Sequence, residues 1–256
     1  MREITPKPGG KGVIFLALAL LVYLNVRPAP APVGGVVAGE YATSLSGRTA
    51  GQRHNALKAA REIDGVVIPP GGTFSYNRKI KAFASEPGYW KAPVSYGGAM
   101  TVAVGGGVCQ TSTTLYNAAL LAGLTVLERH PHTVAPHYAP PGRDAAVAFP
   151  GLDLRLKNPY PFAVRLRAAR QGESLVVSVV APKALPGTSS VRTELLSVAP
   201  PIRRITEGSG GKFRRTRAAA GCRVISWRVV YEGKSEVRRE RLADDTYVAL
   251  DQVLTL

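Results

Sequence analysis

The stretch from Gly105 to Gly123, GGGVCQTSTTLYNAALLAG, sets one of the chain's two cysteines between three glycines and a hydroxyl-rich, then apolar, run. A structural cysteine is a small buried hydrophobe and needs no glycine approach. A reactive one often does, because a substrate backbone must come close, and glycine has no side chain to block it. Cys109 falls at or just before the start of a helix expected over Gln110 to Ala122. Leu115, Ala118, Ala119 and Ala122 recur there at helical spacing, and Gly123 ends the run. The unpaired N–H groups and the dipole at a helix start favour an anion, and so a thiolate. The backbone around Gly107, Cys109 and Gln110 would then supply an oxyanion hole.

A thiol nucleophile needs a base, and the base needs a third group to orient it. Three of the four histidines cluster at 130, 132 and 137, just beyond a strand expected over Leu124 to Arg129. A helix followed by a returning strand brings such residues back beside the helix start. His132, then His130, are the candidate bases, and Asp144, then Asp153, the candidate orienting acids. His137 reads as a loop histidine and His54 as a helix-surface one. Other readings stand beside this one. His130 and His132, two apart on a strand, share a face and with Cys109 would make three zinc ligands of a hydrolase. The hydroxyls of Thr111 to Thr114 would do no more than cap the helix. A glycine loop before a helix also suits phosphate, but GGGVCQ lacks a P-loop lysine and any dinucleotide fingerprint. The leading reading requires no metal and no cofactor.

The elements that must position these residues point to an α+β fold, a cysteine-bearing helix on a mainly antiparallel sheet. A first helix is expected over Thr49 to Gly65, with Ala56, Leu57, Ala60 and Ile63 on one face. Residues 78–98 read as irregular. DAAVAF, LDLRLKN, FAVRLRA and LVVSVV have strand composition. After Pro182 the texture changes to a basic connector, then a hairpin through Glu232, Gly233 and Lys234. A small all-β module is expected over 187–256, after a main domain over 41–182.

The chain carries a formal net charge of +16, and between Arg203 and Arg241 twelve Lys and Arg face four Glu. Such a balance favours anionic partners. The N-terminus narrows them. Residues 1–12 are a short basic lead, and Val13 to Val26 an apolar run within signal h-region length and short of the ~17–25 residues a spanning helix usually needs, followed by a Pro/Gly linker over 27–40. The basic flank stays in the cytoplasm. The expected place is therefore extracytoplasmic, anchored through residues 13–26 or secreted after cleavage near Val36-Val37-Ala38. Export excludes nucleic acid as the partner and leaves anionic wall polymers or lipid headgroups. Two cysteines in an exported chain can pair, but Cys222 lies in the tail hairpin, so free thiols are expected.

GGGVCQTSTTLYNAALLAGL, ERHPHT, PPGRDAAV and GLDLRLKNPYPFAV, in that order, closely resemble the VanW domain family, as do RHNALKAAREIDGVVIPPGGTFSYN and GYWKAPV upstream. The resemblance covers about residues 41–180, and the tail partly resembles the β-hairpin module, usually glycine-rich, that follows many VanW domains. It implies an exported bacterial protein associated with glycopeptide resistance. It further implies L,D-transpeptidation of peptidoglycan with the motif cysteine, here Cys109, as nucleophile. The family's histidine motif falls on His132 and its Gly-Arg-Asp motif on Arg143 and Asp144. The substrate would be a peptidoglycan stem peptide, with Arg143 on a stem carboxylate and Tyr76, Trp90, Tyr116 and Ser112 lining the groove. The alternative is a non-catalytic module that binds peptidoglycan or wall polymer through the basic tail.

Overall fold

Thr49 starts the first helix because its hydroxyl accepts from the Gln52 N–H while the Gln52 side chain reaches back to the Thr49 N–H. This capping box uses donors that a helix start otherwise leaves unpaired. The computed structural model describes residues 34–96, 99–206, 214–215 and 218–255. The expected basic lead, the apolar segment at 13–26, the first part of the linker and part of the basic connector lie outside the described residues. Among the described residues no helix is long and apolar enough to cross a membrane.

In chain order the elements are β1 (Val36–Ser44), α1 (Ala50–Ile63), β2 (Val67–Ile68), β3 (Thr73–Ser75), α2 (Tyr76–Ile80), β4 (Lys91–Tyr96), β5 (Ala99–Val104), α3 (Val108–Leu121) and β6 (Thr125–Glu128). There follow β7 (Arg155–Lys157), β8 (Val164–Gln171), β9 (Ser174–Ala181), β10 (Thr188–Ala199), β11 (Arg203–Thr206), β12 (Arg214–Arg215), β13 (Gly221–Glu232), β14 (Ser235–Tyr247) and β15 (Gln252–Thr255). The sheets run β1-β9-β8-β2, β3-β7-β6, β4-β5, β10-β13-β14 and β11-β15-β12. All named pairings are antiparallel except β11 with β15. Among the described residues the fold is α+β, mostly antiparallel sheet with few helices, and every element after residue 187 is a strand.

Helix α3 is the centre of the core. Leu115, Ala118, Ala119 and Leu120 are fully buried. Burying one leucine contributes about 1.5–3 kcal/mol. The small residues let neighbours in: a Cβ at Gly39 on β1 would sit 2.5 Å from the Ala118 carbonyl oxygen, so glycine is what lets strand and helix touch. The hydroxyl run Thr111 to Thr114 does more than cap. Thr111 donates to Ala56 O on α1 (2.8 Å), Ser112 to Ala145 O (2.7 Å), and Thr114 meets Thr43 on β1 (2.9 Å). A buried hydroxyl left without a partner would cost about 1–3 kcal/mol, so this run fastens α3 to three neighbours at once.

Three expectations are corrected. The linker over 27–40 ends earlier, since β1 begins at Val36 and pairs with β9 along its length. Residues 78–98 are not all irregular, because β4 and β5 form a hairpin. A two-stranded sheet has open edges, which is where Pro93 is tolerated. DAAVAF forms no strand of its own and makes isolated bridges, His130 with Ala146 and Ala148 with Leu152.

Candidate active site

The glycines before Cys109 are spent on the protein's own backbone. Gly107 has φ 112°, and a Cβ there would sit 2.2 Å from the Gln52 carbonyl oxygen. A Cβ at Gly106 would sit 2.5 Å from Pro93 O. Asn55 Nδ2 donates to both Gly106 O and Trp90 O, each at 2.9 Å. The expectation that this triplet clears a path for substrate is corrected: it lets α1 and β4 pack tightly against the turn that aims α3. Cys109 is the second residue of α3.

The thiol is partly buried, with its sulfur 3.4 Å from Val147 O and 3.5 Å from Val147 N. Val147 is held there because Ala145 N–H donates to Thr113 Oγ1 (3.0 Å) and Ala146 N–H to His130 O (2.8 Å). His132 comes to the same place after β6. Its Nδ1 lies 2.6 Å from Asp144 Oδ2, and its backbone N–H donates to that oxygen at 2.7 Å. An ionised carboxylate only accepts, so Nδ1 carries the proton and Nε2 is left for the thiol. Asp144 is fully buried. Its Oδ1 accepts from Arg129 Nη2 at 2.9 Å and from the Tyr247 hydroxyl.

These contacts set the charges. Burial pushes the Cys109 thiol up, but its interaction with His132 outweighs this and holds it below the ordinary thiol range. Burial pulls His132 down, but the Asp144 hydrogen bond and the cysteine override it, and the imidazole is pushed up to about 10. Burial raises Asp144, and His132 with Arg129 more than reverse that, leaving it low. The three groups favour thiolate, imidazolium and carboxylate together. A thiolate at a helix start beside a charged imidazole has the chemistry to act as a nucleophile with a proton donor at hand.

The second-choice residues point elsewhere. His130 Nε2 meets Glu128 Oε1 at 3.0 Å. Asp153 accepts from Ser75 Oγ (2.6 Å) and Asn77 N–H (2.8 Å), so it caps the short helix α2. Among the described residues no group of three or more His, Cys, Asp or Glu is arranged to hold a metal ion. Cys109 and Cys222 are both free. Gln110 is corrected as an oxyanion donor, because its N–H is bonded to Gly107 O (3.0 Å) and its side-chain Nε2 to Thr43 Oγ1 (3.0 Å) and Ser44 O (2.9 Å). The Val108 N–H is also engaged, on Gly105 O (3.0 Å). Among the described residues the Cys109 N–H is the one of these three not spent on a backbone carbonyl.

The expected groove residues divide. Tyr76 and Tyr116 are 0% and 1% exposed, and Ser112 is fully buried. All three are corrected from groove lining to core. Tyr76 donates to Val108 O (3.2 Å) beneath the start of α3. Trp90 is 51% exposed and stacks on His54 at 3.8 Å between ring centroids. Arg143 is turned away, donating to Asn117 Oδ1 (2.8 Å) and covering the Tyr41 ring.

Sequence reasoning missed four side chains. Arg129 sits inside the quoted ERHPHT motif, where its position between Glu128 and His130 was the available signal. Tyr138 lies edge-on to His132, 6.4 Å between centroids, and carries Arg48 over its ring at 5.3 Å. Among the described residues Arg48 has no carboxylate partner, and burial pulls its guanidinium below the ordinary value. Tyr247 belongs to β14 and gave no signal. In the basic tail, Arg223, Arg228, Arg238, Arg239 and Arg241 pair with three carboxylates, Asp244, Glu236 and Glu240.

Comparison with known proteins matches residues 51–180 to the family model described as VanW like protein. Among curated relatives, an uncharacterized protein, YoaR, of Bacillus subtilis (strain 168) is 38% identical over 55% of this chain and 46% of its own length. Vancomycin B-type resistance protein VanW of Enterococcus faecalis (strain ATCC 700802 / V583) is 26% identical over 72% of this chain and 68% of its own. The chain thus spans less than half the length of the first relative. A solved structure, that of HP0197-G5, is 16% identical over 27% of this chain and 95% of that one, with a TM-score of 0.16, too slight a likeness to speak for the fold. Cys109, His132 and Asp144 all fall inside the matched span, and the chain belongs to the VanW-like family.

Proposed function

We propose that this chain is a cell-envelope cysteine acyltransferase acting on peptidoglycan stem peptides. The observation that carries the reading is His132, held on the buried Asp144 carboxylate at 2.6 Å and interacting with the Cys109 thiol. The Cys109 thiolate attacks the carbonyl carbon between an L-centre and a terminal D-alanine. The developing oxyanion takes the Cys109 N–H. The C–N bond breaks, His132 gives its proton to the departing amine, and D-alanine leaves a thioester on Cys109. The side-chain amine of a second stem then attacks the thioester, its proton passes to His132, and the thiolate is freed. With water in place of the amine, the same site is a carboxypeptidase.

Arg48 takes the place that Arg143 was expected to hold. It is a cation without a carboxylate partner among the described residues, lies over the Tyr138 ring beside His132 and close enough to Cys109 to feel its charge, and suits the free carboxylate of a terminal residue. A relative named for vancomycin resistance supports an envelope setting. The extracytoplasmic location, by an anchor at residues 13–26 or after signal cleavage, is part of the same reading.

The test is release of D-alanine from a synthetic stem tetrapeptide, with and without an amine acceptor, by the chain and by Cys109→Ser. Release that depends on Cys109 supports the reading, and a raised KM in Arg48→Ala supports the carboxylate contact. Equal release by Cys109→Ser, or none by either protein, overturns it.

A further inference from the structure

Asp144 is not held by the family-matched region alone. Its Oδ1 accepts from the Tyr247 hydroxyl of β14, and that hydroxyl accepts from the Gly142 N–H at 2.8 Å. Arg129 stands between two carboxylates, giving Nη2 to Asp144 (2.9 Å) and Nη1 to Asp245 on β14 (2.5 Å). The three side chains are 0–6% exposed. The sheet around them is pinned down, with Ser226 Oγ on Gly142 O (2.8 Å), Arg228 Nη1 on Leu124 O (2.7 Å) and Val248 N–H on Thr133 O (2.8 Å). Asp245 and Tyr247 lie beyond residue 180, outside the matched span.

The charge count gives this arrangement a consequence. Asp144 and Arg129 alone make a neutral pair, which would give the His132 imidazolium little to lean on. Asp245 adds a second negative charge, so the buried trio carries one net negative charge facing His132. Away from water such a charge is weakly screened. The other charged or titratable neighbours come from other elements: Arg48 before α1, Tyr76 on α2, Tyr116 on α3, Tyr138 in the loop after His132, and Arg228 on β13. Arg228 is itself paired with Glu240 on β14 (2.7 Å), so that pair adds no net charge.

We propose that the C-terminal sheet completes the active site, with Asp245 and Tyr247 as positioning residues that keep Asp144 oriented and electrostatically available to His132. The inference rests on the Cys–His–Asp reading above. It means that the region matched by the family model depends on β14 for full thiol activation.

The test uses the whole chain in a Cys222→Ser background, so that Cys109 is the one thiol. Its alkylation by iodoacetamide is followed from about pH 5 to about pH 9, across the range where activated thiols titrate. Asp245→Asn keeps shape and removes charge. It should raise the midpoint by about one pH unit, leaving about tenfold less thiolate below it. Asp245→Glu should restore the profile. Tyr247→Phe, which leaves Oδ1 to Arg129 alone, should shift it the same way, and Asp245→Asn carries the test if that variant does not fold. Tyr231→Phe, on the same sheet but bonded to Arg192, should leave it unchanged. If His132→Ala moves the profile while Asp245→Asn and Tyr247→Phe overlay the parent, the sheet is not part of the site, and the nucleophile reading stands. If His132→Ala also overlays the parent, both fall.

Discussion

Replacing Asp144 by asparagine tests the arrangement at its most connected atom pair. The carboxylate accepts from His132 Nδ1, the His132 N–H, Arg129 and Tyr247. An amide offers one accepting oxygen and two N–H groups, so one side of this set of donors must meet a donor. Whichever way the amide turns, the charge that keeps His132 protonated is gone. An ordinary thiol with a pKa of about 8.5 is about 3% ionised at pH 7, so full activation is worth at most about thirtyfold in thiolate. Part of that gain is offset because a less basic thiolate is a weaker nucleophile, with a Brønsted slope of about 0.4–0.5. Asp144→Asn should therefore slow Cys109 alkylation at pH 7 by about threefold and move its midpoint toward an ordinary thiol. Breaking a buried ion pair costs about 3–5 kcal/mol, but Asp245 still pairs with Arg129, so the variant should fold with a cost near the low end. The assay is timed alkylation read by peptide mass spectrometry, with urea unfolding as the control for structure. A folded Asp144→Asn variant with the parent's rate and pH profile would refute the reasoning.

Other outcomes follow from the same contacts. His132 is raised from its ordinary value to about 10, so its share of stability is fully present below about pH 6.5 and is lost as pH rises through about 10. Cys109 and Asp144 are held low, and their share is lost instead as pH falls through their folded values. The stability advantage of the parent over His132→Gln should thus shrink between about pH 7 and about pH 10, and a constant gap in urea titrations would contradict it. Gly107→Ala should destabilise by about 2 kcal/mol or more, since it meets both a positive φ and the Gln52 carbonyl; a thermal midpoint unchanged from the parent would sink this. Ser112→Ala leaves Ala145 O with only a long bond from Thr113 (3.4 Å) and should cost about 1–2 kcal/mol, checked by the same unfolding curves.

The setting of Cys109 was legible in the sequence because glycine, then a helix start, then helical periodicity is a local pattern. Local patterns do not choose between His130 and His132, two residues apart, or between Asp144 and Asp153. That choice is made by where the chain returns. The loop after β6 brings His132 onto Asp144, while Asp153 is drawn to cap α2 and His130 to Glu128. Tyr76 and Tyr116 misled because an aromatic reads alike whether it lines a groove or fills a core. The glycine triplet had the right location and the wrong reason, since close approach by α1 and β4 leaves the same mark as close approach by a ligand. DAAVAF has strand composition but is fastened by hydroxyls of α3 and single bridges. Nothing in the spacing of ADDTY, more than a hundred residues beyond Cys109, could tie Tyr247 to Asp144, because that contact exists only once the last sheet docks.

The central claim is that Cys109 forms an acyl intermediate. The direct measurement is the intact mass of the chain, quenched in acid during turnover of a stem tetrapeptide. The account predicts an adduct equal to the stem peptide less its terminal D-alanine, located on Cys109, absent from Cys109→Ser and accumulating when the amine acceptor is withheld. D-alanine release without any such adduct, or an adduct that survives Cys109→Ser, would contradict it.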